Sequence, residues 1–144
     1  MEAVCRALIS TLILLATPAA AVELRPIEVR TGIDGLESMP LSVANGTISP
    51  IVCRAELAHW YSIDLVELAP GSAADIALWF DPDSGTVTVL NEKQENMPIE
   101  KLWCGLKDRA YATRAELRLD RRLSVAPGKL AVRCSERDGL LRCG

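Results

Sequence analysis

One histidine, six aromatic residues and four lysines are all that this 144-residue chain holds of three groups that often carry chemistry or recognition. With His59 as the single imidazole, a Ser-His-Asp site has one residue to recruit, and no serine stands in a Gly-x-Ser-x-Gly elbow. No Cys-x-x-Cys is present, so the usual dithiol redox motif is excluded. Zinc fits poorly as well, because structural sites use ligand pairs two to four residues apart and the tightest cysteine pair here has eight residues between. A calcium loop would need more oxygen ligands at alternate positions than Asp81 and Asp83 supply. Beyond the first 21 residues no apolar run approaches the roughly 20 residues that span a bilayer as a helix. Repeats and low-complexity segments are absent, and nothing resembles a groove-reading or base-stacking motif; with a net charge of -3, nucleic acid is a poor partner.

What is present begins with a leader. Met1 to Ala21 carries Arg6, the apolar run ALISTLILLA, a proline and then Ala19-Ala20-Ala21, the charged, apolar, small-residue order of a secretory signal. We therefore expect residues 1–21 to be a signal peptide and residues 22–144 a single domain, soluble after processing and without a membrane span. Twelve arginines against four lysines and the alanine-rich leader favour a bacterial periplasm; otherwise the product is secreted. In a eukaryotic secretory path Asn45-Gly46-Thr47 would be a glycosylation acceptor, and in a bacterium only a turn.

Cleavage removes Cys5 and leaves Cys53, Cys104, Cys134 and Cys143, an even number that an oxidising compartment would pair. Asp138-Gly139 is a two-residue type I′ hairpin signal, and in that register Cys134 faces Cys143. Counted outward from the turn, the two fall on a non-hydrogen-bonded pair, where Cα atoms approach to about 4.5 Å, inside disulfide range. By elimination Cys53 pairs with Cys104.

Residues 51 to 60 alternate with a period of two, with Ile51, Cys53, Ala55, Leu57 and His59 on one face. Ile76, Leu78 and Phe80 alternate likewise, and with the turn DPDSG and Val87 and Val89 they read as a hairpin over 76–90. Leu41 and Val43 give an earlier strand, and Ile27 and Val29 a first one. MPIEKLWCGL could open a short helix, while the alternation of Ala115, Leu117 and Leu119 favours a strand in YATRAELRLDRR. Many short strands with regular turn signals predict an all-β, small single-domain β-sandwich, immunoglobulin-like in architecture, closed by a stapled hairpin. No family's motifs can be laid residue by residue onto the chain.

Charge is divided along the sequence. Residues 22–100 hold four basic and thirteen acidic residues, and 101–144 hold eleven basic and five acidic. Either the two parts interleave and cancel, or a basic face is kept for an anionic partner. All six aromatics lie between Trp60 and Tyr111, which suggests a core cluster under the long-range bridge, although the phase of Trp60 and Trp79 puts those two outside.

These observations predict an exported, disulfide-bonded periplasmic or envelope accessory protein that binds a protein partner or ligand without catalysis and without a cofactor. The contact surface predicted from sequence is His59, Trp60, Tyr61 and Trp79. Two alternatives stand behind it. One is a periplasmic copper-binding protein using His59 with Met39 or Met97. The other is a small secreted hydrolase with loop carboxylates such as Asp81, Asp83 and Glu95, though the two aspartates in DPDSG read better as turn formers.

Overall fold

The computed structural model describes residues 29–58, 61–122 and 128–144. The leader, Ile27 with Glu28, and the pair His59 and Trp60 lie outside the described residues; Val29 is exposed and in no strand. Eleven strands follow in the described residues: β1 Glu37–Ser38, β2 Leu41–Asn45, β3 Ile51–Leu57, β4 Tyr61–Leu68, β5 Ala73–Ile76, β6 Trp79–Asp81, β7 Thr86–Leu90, β8 Asn96–Leu106, β9 Ala115–Leu117, β10 Leu130–Arg137 and β11 Leu140–Cys143. They form two sheets. The larger runs β1-β6-β7-β8-β3-β4, with β9 beside the second half of β8, and the smaller runs β11-β10-β2-β5. Pairing is antiparallel except between β2 and β10.

The sheets share one core. Ile51, Cys53, Ala55 and Leu57 of β3, Phe80 of β6, Val87 of β7 and Leu102, Cys104 and Leu106 of β8 pack with Leu41 and Val43 of β2, Ile76 of β5, Cys134 of β10 and Leu141 of β11. Each set comes from alternate positions of its strand, so the period-two pattern is the cause of the burial.

Both bridges are present. Cys53 and Cys104 are opposite residues of β3 and β8, with Cα atoms 4.0 Å apart. Cys134 faces Cys143 across β10 and β11 at 4.1 Å. Asp138 (φ 54°) and Gly139 (φ 73°) occupy the left-handed region that a type I′ turn requires of both central residues. The backbone bonds between Arg133 and Gly144, 3.0 and 3.3 Å, make the neighbouring cysteine pair the non-hydrogen-bonded kind. The long-range bridge joins neighbouring strands of one sheet, whereas an immunoglobulin-like bridge crosses between sheets.

Three other expectations change. MPIEKLWCGL is not a helix but most of the eleven-residue strand β8. Its ladder to β3 shifts between Lys101 and Ile99, so Glu100 is an extra residue and the inward phase moves from Ile99 to Leu102. Second, residues 76–90 are not one hairpin. Ile76 closes β5 in the small sheet, the chain crosses at Leu78, and only Trp79–Leu90 forms the β6–β7 hairpin of the large sheet. Third, the strand in YATRAELRLDRR contracts to Ala115–Leu117, because residues 110–113 form a turn.

That turn is held down by particular groups. Thr113 is buried; its hydroxyl accepts from the Leu106 N–H at 2.9 Å and donates to the Arg109 carbonyl at 3.0 Å. Gly105 lets the backbone of Ala110 lie against β8, where any Cβ would collide with the Ala110 carbonyl. At the far end of β2, the buried Asn45 amide donates to the carbonyls of Ser49, Leu68 and Ala69 and accepts from the N–H and hydroxyl of Thr47. The Asn45-Gly46-Thr47 triplet is thus an internal corner that satisfies carbonyls of the β3–β4 side of the molecule.

Candidate functional site

Of the four residues of the predicted aromatic surface, Tyr61 and Trp79 are among the described residues, and these two stand apart. Tyr61 opens β4, an edge strand of the large sheet, and is 68% exposed. Trp79 is half-buried in β6, in register with Ser38 of β1 and Thr88 of β7. Strands β3, β8 and β7 lie between β4 and β6, a separation of about 19 Å at the usual strand spacing. His59 and Trp60, which precede Tyr61, lie outside the described residues.

Trp103, expected in the core beneath the bridge, faces the opposite way. Cys104 points inward, so its neighbour in the strand must point out. On the outer face of the large sheet Trp103 is nevertheless only 4% exposed, packed with Val52 and Ala110 in a second small cluster. Its indole N–H donates to Glu56 at 3.2 Å, and Arg54, paired to Asp64 at 2.5 Å, lies 5.7 Å from the ring centroid. Tyr111 meets the indole edge-on at 6.3 Å, and Arg114 covers Tyr111 at 4.1 Å. This run of stacked rings and guanidinium groups has a partner for each charge or ring in it, and only Tyr111, at 66%, is widely open to solvent.

Elsewhere the two charge blocks meet. Three of the seven ion pairs among the described residues join the acidic stretch to the basic one: Lys101 to Glu56 (3.7 Å), Lys107 to Glu67 (2.6 Å) and Lys129 to Asp75 (3.5 Å). All are exposed, so they set surface charge more than stability.

The outer face of the small sheet differs. Cys134 and Leu141 point into the core, so Arg133, Ser135 and Arg137 of β10 and Leu140 and Arg142 of β11 point out. Ser135 is directly opposite Arg142, which puts Arg142 diagonally beside both Arg133 and Arg137, about 7–8 Å away along the sheet. None of the three arginines has an ion-pair partner among the described residues. The same face continues over Ser42 and Ala44 of β2 and Ala73 of β5, small side chains beside the guanidinium groups, and its far edge carries Asp75, which Ser42 and Lys129 already engage. Composition exposed the charge bias of this segment, but only the strand pairing brings the three arginines onto one face.

The residues named for the two alternatives have other places. Met39 is a fully buried core residue, and Met97 is half-buried with its sulfur 3.9 Å from the Asn91 amide. Asp81 caps the β6–β7 turn by accepting from the N–H groups of Asp83 (2.9 Å) and Ser84 (3.2 Å). The Ser84 hydroxyl, these backbone groups and Arg30 hold its carboxyl below the usual carboxylate range, the wrong direction for a general acid. Glu95 accepts from the Asn91 amide at 2.5 Å. No protein-family model, curated protein or solved structure matches the chain, so any function must be argued from its surfaces.

Proposed function

We propose that the chain is an exported accessory protein of the periplasm or cell envelope, a two-sheet β protein that works by binding an acidic protein surface rather than by catalysis. The signal-like leader and the two disulfides support export. The observation that carries the binding reading is the group Arg133, Arg137 and Arg142 on the outer face of the stapled hairpin. Like charges on adjacent strands oppose folding, whereas on the outer face of the large sheet Arg54, Lys101 and Lys107 each stand beside an acid. Three unmatched guanidinium groups beside small side chains suit carboxylates brought by a partner, since each can bind one in bidentate fashion. Cys134–Cys143 holds the hairpin rigid, which lowers the ordering cost on association. Tyr61, beside His59 and Trp60 in sequence, is a second contact of the same partner in this reading.

The test is capture from native envelope extract with the wild-type chain and with R133E/R137E/R142E, each at low and high salt. A partner retained by the wild type, released by salt and lost on charge reversal with an unchanged near-UV circular dichroism spectrum is the expected result. Recovery of the same proteins by both chains would overturn it.

A further inference from the structure

The sulfur atoms of Cys104, Cys134 and Cys143 lie within 4.8 Å of one another. The inward-facing bridges of the two sheets therefore meet across the core, although each joins strands of one sheet only. Their exposure is unequal. Cys53, Cys104 and Cys134 are fully buried, whereas Cys143 is half-buried and lines two surface clefts of about 320 and 330 Å³. Arg114 and Arg142 line the second cleft with one carboxylate, Glu116, so a thiolate approaching Cys143 meets a net positive lining.

We propose that the two disulfides form one thiol–disulfide exchange path, by which a dithiol reductant acting at Cys143 reaches the buried Cys53–Cys104 bridge. The thiolate of the dithiol attacks the Cys143 sulfur, forming a mixed disulfide and releasing the Cys134 thiolate. The Cys134 thiolate then attacks the Cys104 sulfur, making a Cys104–Cys134 bond and expelling Cys53 as thiolate. The second thiol of the reductant attacks its own sulfur in the mixed disulfide and frees Cys143. In sum one dithiol becomes a cyclic disulfide, two protein disulfides become one, and Cys53 and Cys143 each end as thiols, so two electrons and two protons are transferred. Exchange of this kind needs a nucleophilic sulfur beside a disulfide and a path to the first sulfur attacked, and the core supplies both. The product ties the two sheets together where the starting bridges tie strands within each.

The experiment is titration of the folded protein with limiting dithiothreitol, trapping with N-ethylmaleimide and mapping of the linked peptides. Molecules with Cys104 linked to Cys134 and with Cys53 and Cys143 both alkylated are expected. Reduction that frees Cys134 and Cys143 together and leaves Cys53–Cys104 intact at every ratio of reductant would overturn the proposal. A second variant isolates the exchange pair: C53S/C143S, oxidised in dilute solution, is expected to give a monomer with a Cys104–Cys134 bridge. Two free thiols in a folded C53S/C143S chain would also overturn it, and if that variant fails to fold, the titration of the wild type decides.

Discussion

The outer face of the large sheet and the hairpin end of the small sheet's outer face treat charge in opposite ways. On the large sheet Arg54 is matched by Asp64, Lys101 by Glu56 and Lys107 by Glu67, and the buried Trp103 gives its indole N–H to Glu56. On the small sheet three arginines share a hairpin with no acid opposite them. A matched face contributes to folding and has little left to offer a partner. An unmatched one gains nothing in the free protein, and its arrangement makes sense as a surface completed by something else. If this division is right, damage to the two regions should appear in different measurements.

The largest expected effect separates the two staples. In the chain-entropy account a cross-link stabilises in proportion to the logarithm of the loop it closes, and the loops here span 51 and 9 residues. C53A/C104A should lose about 4 kcal/mol and C134A/C143A about 2.5 kcal/mol, read as midpoints of urea unfolding at constant slope. Equal losses from the two variants, or a greater loss from the hairpin, would show that the long loop is already constrained in the unfolded chain.

Next in size is Trp103→Ala. Although the ring faces away from the main core it is almost wholly buried, and its removal strips Val52, Ala110 and the Arg54 stem of their contact and leaves Glu56 without its donor. A loss of about 3 kcal/mol is expected, close to that of a core aromatic, with the far-UV spectrum unchanged. A loss below about 1 kcal/mol would mean that Tyr111 and Arg54 collapse over the gap and that this face is not a second core.

How legible these features are in the sequence follows from how local their causes are. The hairpin register was readable because Asp138-Gly139 fixes the turn and the turn fixes each opposite pair outward to Cys134 and Cys143. Cys53–Cys104 followed by elimination, and the two-sheet all-β class from alternation in β2, β3 and β7. Strand β8 was ambiguous for a physical reason: the bulge at Glu100 and the outward burial of Trp103 put Ile99, Leu102, Trp103 and Leu106 at helical spacing, so a bent strand carries the periodicity of a helix. The crossing at Leu78 left no mark because Ile76, Leu78 and Phe80 all face the common core while belonging to different sheets or to the link between them. The arginine face was invisible as a face, since Arg133, Arg137 and Arg142 become neighbours only through pairing. The internal role of Asn45 was hidden as well, because its carbonyl partners at Leu68 and Ala69 are more than twenty residues away.

The smallest effect is the one that sharpens the comparison most. If Arg133, Arg137 and Arg142 repel one another without local compensation, R133A/R137A/R142A should unfold about 1–2 °C higher than the wild type at low ionic strength, as relief of repulsion among three exposed charges would give. Guanidinium groups carried on residues about 7–8 Å apart repel over distances comparable to the Debye length of about 10 Å at 0.1 M salt and well beyond that of about 3 Å at 1 M, so the gain should vanish at high salt. The corresponding neutralisation on the matched face, R54A, should change the melting temperature in the other direction, because Asp64 and the Trp103 ring both lose a partner. A triple variant that melts lower than the wild type at every salt concentration would mean that the arginine stems pack usefully against Ser42, Ala44 and Ala73, and that the hairpin face is part of the folding energetics after all.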